Sequence, residues 1–250
     1  MGKYQPRTLS PPYLKRIWLD DKTIVDSSAY PYCLPLFKDG AFEVVFDRPV
    51  TIIAGENGVG KSTLLEAIAV LAGFDESGGG PGYRAVDNAR AIETGGGGLA
   101  RSLKASWLPK IGRGWFFRAE SFFSVARYLD EVDSPSADFL SHSHGEGFIR
   151  FFEERCTKPG IFMFDEPEAA LSPKRQFDFL KLLNRMEADN RSQVIIVTHS
   201  PIVMGHPGAR LLRMSRYGLE PVALQDTEHF RIIRQFVDDP HGMIEAMINE

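Results

Sequence analysis

Gly55–Thr63 reads GENGVGKST, preceded by VTIIA (Val50–Ala54) and continued by TLLEAIAVLAG (Thr63–Gly73). A glycine, four residues, then Gly60-Lys61-Ser62, set between a β-rich run and a helical pattern, is the spacing of a loop that cradles phosphate. The glycines let the backbone curl so that several N–H groups converge, and the start of the following helix adds positive potential. Gly55, Glu56, Asn57, Gly58, Val59, Gly60, Lys61, Ser62 and Thr63 are therefore the expected nucleotide-binding residues. Lys61 should reach the β- and γ-phosphates, the Ser62 hydroxyl should ligate Mg²⁺, and Thr63 should bond a phosphate nearer the sugar.

Working outward, two more apolar runs end in polar motifs. IFMF (Ile161–Phe164) runs into DEPE, and VIIV (Val194–Val197) into THS. Short continuous apolar runs read as strands buried on both faces of a parallel sheet. Polar residues at their C-terminal ends lie where open α/β sheets bind ligands. Asp165 suits Mg²⁺, an oxygen-seeking ion that keeps several waters. Glu166, beside it, can polarise and orient an attacking water. His199 ends the third run and is the candidate for contacting the γ-phosphate. The chain has no N-K-x-D run to read guanine, so ATP is the expected nucleotide.

Between these runs the pattern is helical. Ser172 and Pro173 make an N-cap and first helical position. Phe177, Leu180 and Leu183 repeat at three-residue spacing and are expected to face the core. Residues 12–50 read as short antiparallel strands. RLLRMS and LEPVAL read as a hairpin turning at Tyr217–Gly218, and the last segment, 226–250, as helix broken at Pro240. The glycine clusters within residues 76–100 are costly to order, so this stretch is expected to be a mobile insertion, a lid over nucleotide or a plain insertion. Residues 101–158 are expected to be a helical region.

Composition narrows the class. The 250 residues are 43% hydrophobic and 25% charged, with a formal net charge of −4. That supplies a sizeable core and no overall basic field. Cys33 and Cys156 match no metal or redox spacing, which points to a reduced, cytoplasmic setting. No apolar run reaches the length of about 18 residues that a membrane span needs, so no direct membrane insertion is expected. FLSHSHGEGF (Phe139–Phe148) puts His142, His144 and Glu146 at alternate positions, which allows a metal site. The Mg²⁺ chemistry elsewhere favours a loop in which Ser143 and Gly145 matter more.

Together these residues resemble the ATP-binding-cassette (ABC) ATPase family over about residues 40–205. The order is that of the family: phosphate loop, insertion, signature loop at SHGE (Ser143–Glu146), DEP, D-loop at ALSP (Ala170–Pro173), then His199. Ser143 lies 22 residues before Asp165, and His199 lies 33 after Glu166. The resemblance implies an α/β P-loop NTPase fold, with a mainly parallel core sheet flanked by helices and an N-terminal antiparallel β subdomain over residues 1–50. It implies one such domain over 1–250, and ATP and Mg²⁺ as ligands. It further implies a head-to-tail homodimer formed on ATP binding. Ser143, His144, Gly145 and Glu146 would contact ATP held by the other copy, and Glu166 and His199 would be catalytic.

ENGVGKSTLLEAIA, RAESFF, SHGEGF, DEPEAALSP, THSPI and DTEHF place the resemblance in the non-transport branch: RecF-, SMC- and OLD-like proteins and small bacterial AAA-labelled ATPases. That implies a partner protein or nucleic acid in a repair or defence process; the energy subunit of a membrane transporter is the alternative. Residues 64–140 contain no glutamine, so the family's Q-loop residue is absent as such. Glu120, in FFRAESFF, is the candidate replacement as a Mg²⁺ ligand. Tyr30, Tyr32 and Phe37 are the candidates for stacking on adenine.

Overall fold

The computed structural model describes residues 10–24, 26–37, 42–81, 96–119 and 144–249. Two sheets enclose one helix. Strands β1 (Leu14–Leu19), β2 (Glu43–Val45) and β4 (Leu103–Trp107) form an antiparallel sheet in the order β2-β1-β4. Strands β3 (Val50–Ala54), β5 (Gly114–Arg118), β6 (Gly160–Asp165), β7 (Ser192–Val197), β8 (Arg210–Ser215) and β9 (Gly218–Pro221) form the second sheet, in the order β5-β6-β7-β3-β8-β9. Its pairings are parallel apart from β8–β9. Every residue of β3, β6 and β7 is buried, as expected of strands covered on both faces.

Alternation along the central strands builds two cores. Ile53, Met163, Ile195 and Val197 point to helix α1 (Lys61–Ala72), which is packed between the two sheets with Leu64, Leu65 and Ile68 buried. Gly73, in the left-handed region, ends α1, as a residue without Cβ readily does. Ile52, Phe162, Phe164 and Ile196 face the other way, toward α3 (His144–Arg155) and α4 (Pro173–Ala188). There Phe117 and Phe164 stack at 4.6 Å, with Phe152 and Phe179 set edge-on against Phe164. These rings bury much of the apolar surface on that side.

The structure differs from the sequence reading in four places. Residues 103–107 and 114–118 are strands, not part of a helical region, and β4 completes the antiparallel sheet from beyond residue 50. The glycine-rich stretch is tied down at both described ends. Gly79 exchanges backbone hydrogen bonds with Phe116 on the free edge of β5. Gly96–Ser102 forms helix α2, which begins where Gly96 N–H donates to the Glu66 carboxylate at 2.9 Å. On α4 the buried stripe is Phe179, Leu182, Leu183 and Met186, while Phe177 is 54% exposed. A three-residue repeat drifts by about 60° per step around an α-helix, so Phe177 turns away from Leu183. The β8–β9 turn is Arg216–Tyr217, with Ser215 paired to Gly218.

Helix α2 packs so closely on α1 that a Cβ on Gly96 would lie 2.2 Å from Glu66 Cβ and 2.7 Å from the Ala67 nitrogen. Gly96→Ala is expected to destabilise the fold by about 1–3 kcal/mol, read as a lower midpoint in urea unfolding.

Candidate functional site

The site is built at the C-terminal ends of β3, β6 and β7, with α1 beginning at Lys61. Gly58 and Gly60 have φ of 77° and 98°, a region that disfavours other residues. At Gly55 the constraint is space: a Cβ would sit 2.5 Å from the Met214 carbonyl oxygen on β8. The loop is closed by Lys61, whose Nζ donates to the Glu56 carbonyl oxygen at 2.7 Å. Burial lowers the Lys61 pKa, and the carboxylates Glu166, Asp165, Glu168 and Glu56 oppose that shift. Thr63 is buried and shares a hydrogen bond with the Tyr30 hydroxyl.

Ser62 Oγ donates to Asp165 Oδ1 at 3.0 Å. The two oxygens that the sequence marks as Mg²⁺ ligands are therefore adjacent, a hard-oxygen pair suited to that ion. Beneath them lies a cluster that motif reading missed. The β5–β6 register sets Arg118 opposite Asp165. The Arg118 guanidinium pairs with Glu66 at 2.9 Å and lies 3.6 Å from Asp165 Oδ2, and all three side chains are under a tenth exposed. Burial pushes the Asp165 carboxyl up to about 7, against the opposing pull of Arg118 and the Ser62 hydrogen bond.

An acid with a folded pKa above its unfolded value costs stability once it must ionise. That cost is absent at low pH, grows as pH rises from about 4 to about 7, and is complete above that range. Asp165→Asn is therefore expected to raise the urea midpoint of nucleotide-free protein at pH 8, with the gain shrinking toward pH 5.

Glu166 has φ 48°, ψ 54°, the left-handed region, which costs a non-glycine residue about 1–3 kcal/mol. Its backbone is held by a hydrogen bond from its N–H to Val197 O at 2.9 Å. Its carboxylate is 44% exposed and lies 3.5 Å from His199 Nε2. His199 is gripped twice: its backbone N–H donates to Glu168 Oε1 at 2.5 Å, and its Nδ1 lies 2.9 Å from Nε2 of His229. Its Nε2 is shielded and has no hydrogen-bond partner among the described residues. Next to it, Ser200 Oγ bonds Gln176, whose Nε2 donates to the Leu171 carbonyl oxygen at 3.1 Å. The ALSP loop and the THS strand end are thus joined through one buried amide.

Of the aromatic candidates, Phe37 is buried edge-on against Phe42. Tyr32 bonds Gly98 O and Ser102 on α2. Tyr30 is 57% exposed beside the phosphate loop. Ser143 and Glu120 lie outside the described residues, as does His142. His144 and Gly145 open α3, and Glu146 is exposed and ion-paired with Arg175 of α4. Glu66, Arg118, Glu168 and His229 lie within the stretches that carry the resemblance, but no motif gave them a role, and Gln176 lies outside those stretches; only the sheet register and helix packing bring the five to the site.

A family model described as "AAA domain, putative AbiEii toxin, Type IV TA system" matches residues 141–205, and an AAA domain model matches residues 36–105. The second match spans the phosphate loop; the first spans SHGE, DEPE and THS. The solved ATP-binding cassette MJ1267 of an ABC transporter superimposes with a TM-score of 0.50 at 17% identity, covering 91% of this chain and 96% of that one. The chain has the fold of an ABC-type P-loop ATPase, with AAA-domain matches over both halves of the site. The chain is also 28% identical over 190 residues to the high-affinity branched-chain amino acid transport ATP-binding protein BraF of Pseudomonas aeruginosa, over 62% of this chain and 72% of the relative. The SMC head domain from Thermotoga maritima matches at 16% identity, covering 84% of this chain and 99% of that one, with a TM-score of 0.45. Among the described residues, no helix is long and apolar enough to cross a membrane.

Proposed function

We propose that the chain hydrolyses ATP with Mg²⁺ in a head-to-tail homodimer, as a soluble cytoplasmic ATPase of the non-transport branch. The observation that carries the reading is the convergence of Ser62, Asp165, Glu166 and His199 at neighbouring strand ends. The phosphate loop from Gly55 to Thr63 binds the phosphates through its backbone, and Lys61 turns from the Glu56 carbonyl to the β- and γ-phosphates. Ser62 and Asp165 hold Mg²⁺, which when bound neutralises charge on the phosphates. Glu166 orients the attacking water, and His199 Nε2 donates to a γ-phosphate oxygen. Tyr30 stacks on adenine. Ser143 and Gly145, with His144 and Glu146, close on ATP held by the second copy. For that contact Glu146 must leave or share its pairing with Arg175.

The missing glutamine between residues 64 and 140, with Glu120 in its place, supports the non-transport branch. So does the toxin–antitoxin description of the matching family model, which favours a defence-related process. The likeness to BraF supports a second reading, the energy subunit of a transporter. ATP-dependent DNA binding that weakens steeply with salt would favour the first; co-purification with a multi-spanning membrane protein would favour the second.

The binding half of the reading has its own test. Lys61→Ala removes a charge-assisted contact worth about 1.5–3 kcal/mol. ATP affinity measured by calorimetry is expected to fall by about 10–100-fold. Unchanged affinity would mean that nucleotide binds elsewhere.

A further inference from the structure

His199 can serve a phosphate only if the proton on its ring sits on the correct nitrogen. A neutral imidazole has one N–H and one lone pair. The Nε2 of His199 faces Glu166, while its Nδ1 lies 2.9 Å from His229 Nε2. Along that line one ring donates and the other accepts. If His229 donates, His199 must carry its proton on Nε2 and can donate to a phosphate oxygen. If His199 donates instead, its Nε2 is a bare lone pair that repels the same oxygen. Burial and the nearby Lys61 charge lower the pKa of both histidines, so the neutral rings, and hence the tautomer, are what count.

The rest of the contact set fits a built arrangement. Glu168 fixes the backbone of His199 and leaves its ring orientation open. Beyond the short helix α5 (Pro201–Met204), His229 is the second residue of helix α6 (Glu228–Asp238), whose first turn is pinned by the buried N-cap Thr227. The Thr227 hydroxyl donates to Leu224 O at 2.7 Å and accepts from Phe230 N–H. No residue of α6 itself is buried, so core packing does not account for a histidine at this position.

We propose that His229 is the positioning residue for His199: it donates its Nε2–H to His199 Nδ1 and keeps the His199 proton on Nε2, toward the phosphate. The proposal rests on the reading of His199 as the γ-phosphate contact. It makes α6, from a segment outside both matched family regions, part of the hydrolytic site.

The test is steady-state phosphate release by wild type, His199→Ala, His229→Gln, His229→Phe and the double variant His199→Ala/His229→Phe. Glutamine places an N–H donor where the His229 Nε2 stands; phenylalanine keeps the bulk and removes the donor. His229→Phe is expected to lower kcat by about 10–100-fold with KM for ATP within about twofold. His229→Gln should retain most activity, and the double variant should be no slower than His199→Ala. Wild-type kcat in His229→Phe beside an impaired His199→Ala would overturn the proposal alone. Wild-type kcat in His199→Ala would overturn the reading of His199 beneath it. Imidazole ¹⁵N shifts of wild-type protein give a readout free of turnover and of variant folding: an Nε2–H tautomer at His199 supports the proposal, and an Nδ1–H tautomer overturns it.

Discussion

Glu166→Gln is expected to bind ATP as wild type does and to release phosphate about 10²–10³-fold more slowly. The amide is isosteric and keeps the half-exposed position beside His199, so the pocket should persist. What it lacks is the negative charge that draws a proton from the attacking water. The strained left-handed backbone at Glu166 supports this assignment, because such strain survives only where the surroundings fix it. The same variant carries no charge to repel the γ-phosphate, so its ATP complex should last longer. Single-turnover phosphate release with matched ATP titrations separates the two effects. Equal rates in wild type and variant would remove Glu166 from the chemistry; equally slow rates would make the protein a nucleotide-binding switch.

Arg118→Leu is expected to be the most destabilising substitution near the site, at about 3–5 kcal/mol. The guanidinium sits between Glu66 and Asp165, all three buried. Removing it leaves two carboxyls without their shared cation in a low-dielectric setting. The loss should be larger at pH 8 than at pH 6, because Asp165 is held near 7 even with Arg118 present. Restoring neutrality tests the cause: Arg118→Leu/Glu66→Leu should recover part of the stability, although Gly96 then loses its acceptor. Urea unfolding of the four species closes the cycle. A loss below about 0.5 kcal/mol for Arg118→Leu would place it with ordinary surface substitutions.

Much of the framework was legible because its signals are local. IFMF and VIIV are apolar without interruption and VTIIA is apolar but for Thr51, and the structure buries all three on both faces. The phosphate loop, the Ser172 N-cap and the break at Pro240 depend on residue types at fixed short spacings. What stayed hidden depends on topology. LKASW alternates along β4, yet its partner is β1, far back in the chain. Arg118 is a lone cation at a strand end until β5 lies beside β6 and sets it against Asp165. His229 comes 30 residues after His199, and only the placement of α6 brings the rings together. Gly96 read as flexible because its value lies in how closely α2 approaches α1.

The ATP-gated dimer is tested most directly by the mass in solution of Glu166→Gln with and without Mg²⁺ and ATP, measured by size exclusion with light scattering. A head-to-tail dimer gated by ATP requires a monomer without nucleotide, a dimer with Mg²⁺ and ATP, and no dimer when Lys61→Ala is added. A protein that binds ATP yet stays monomeric at concentrations well above its affinity for nucleotide would contradict it.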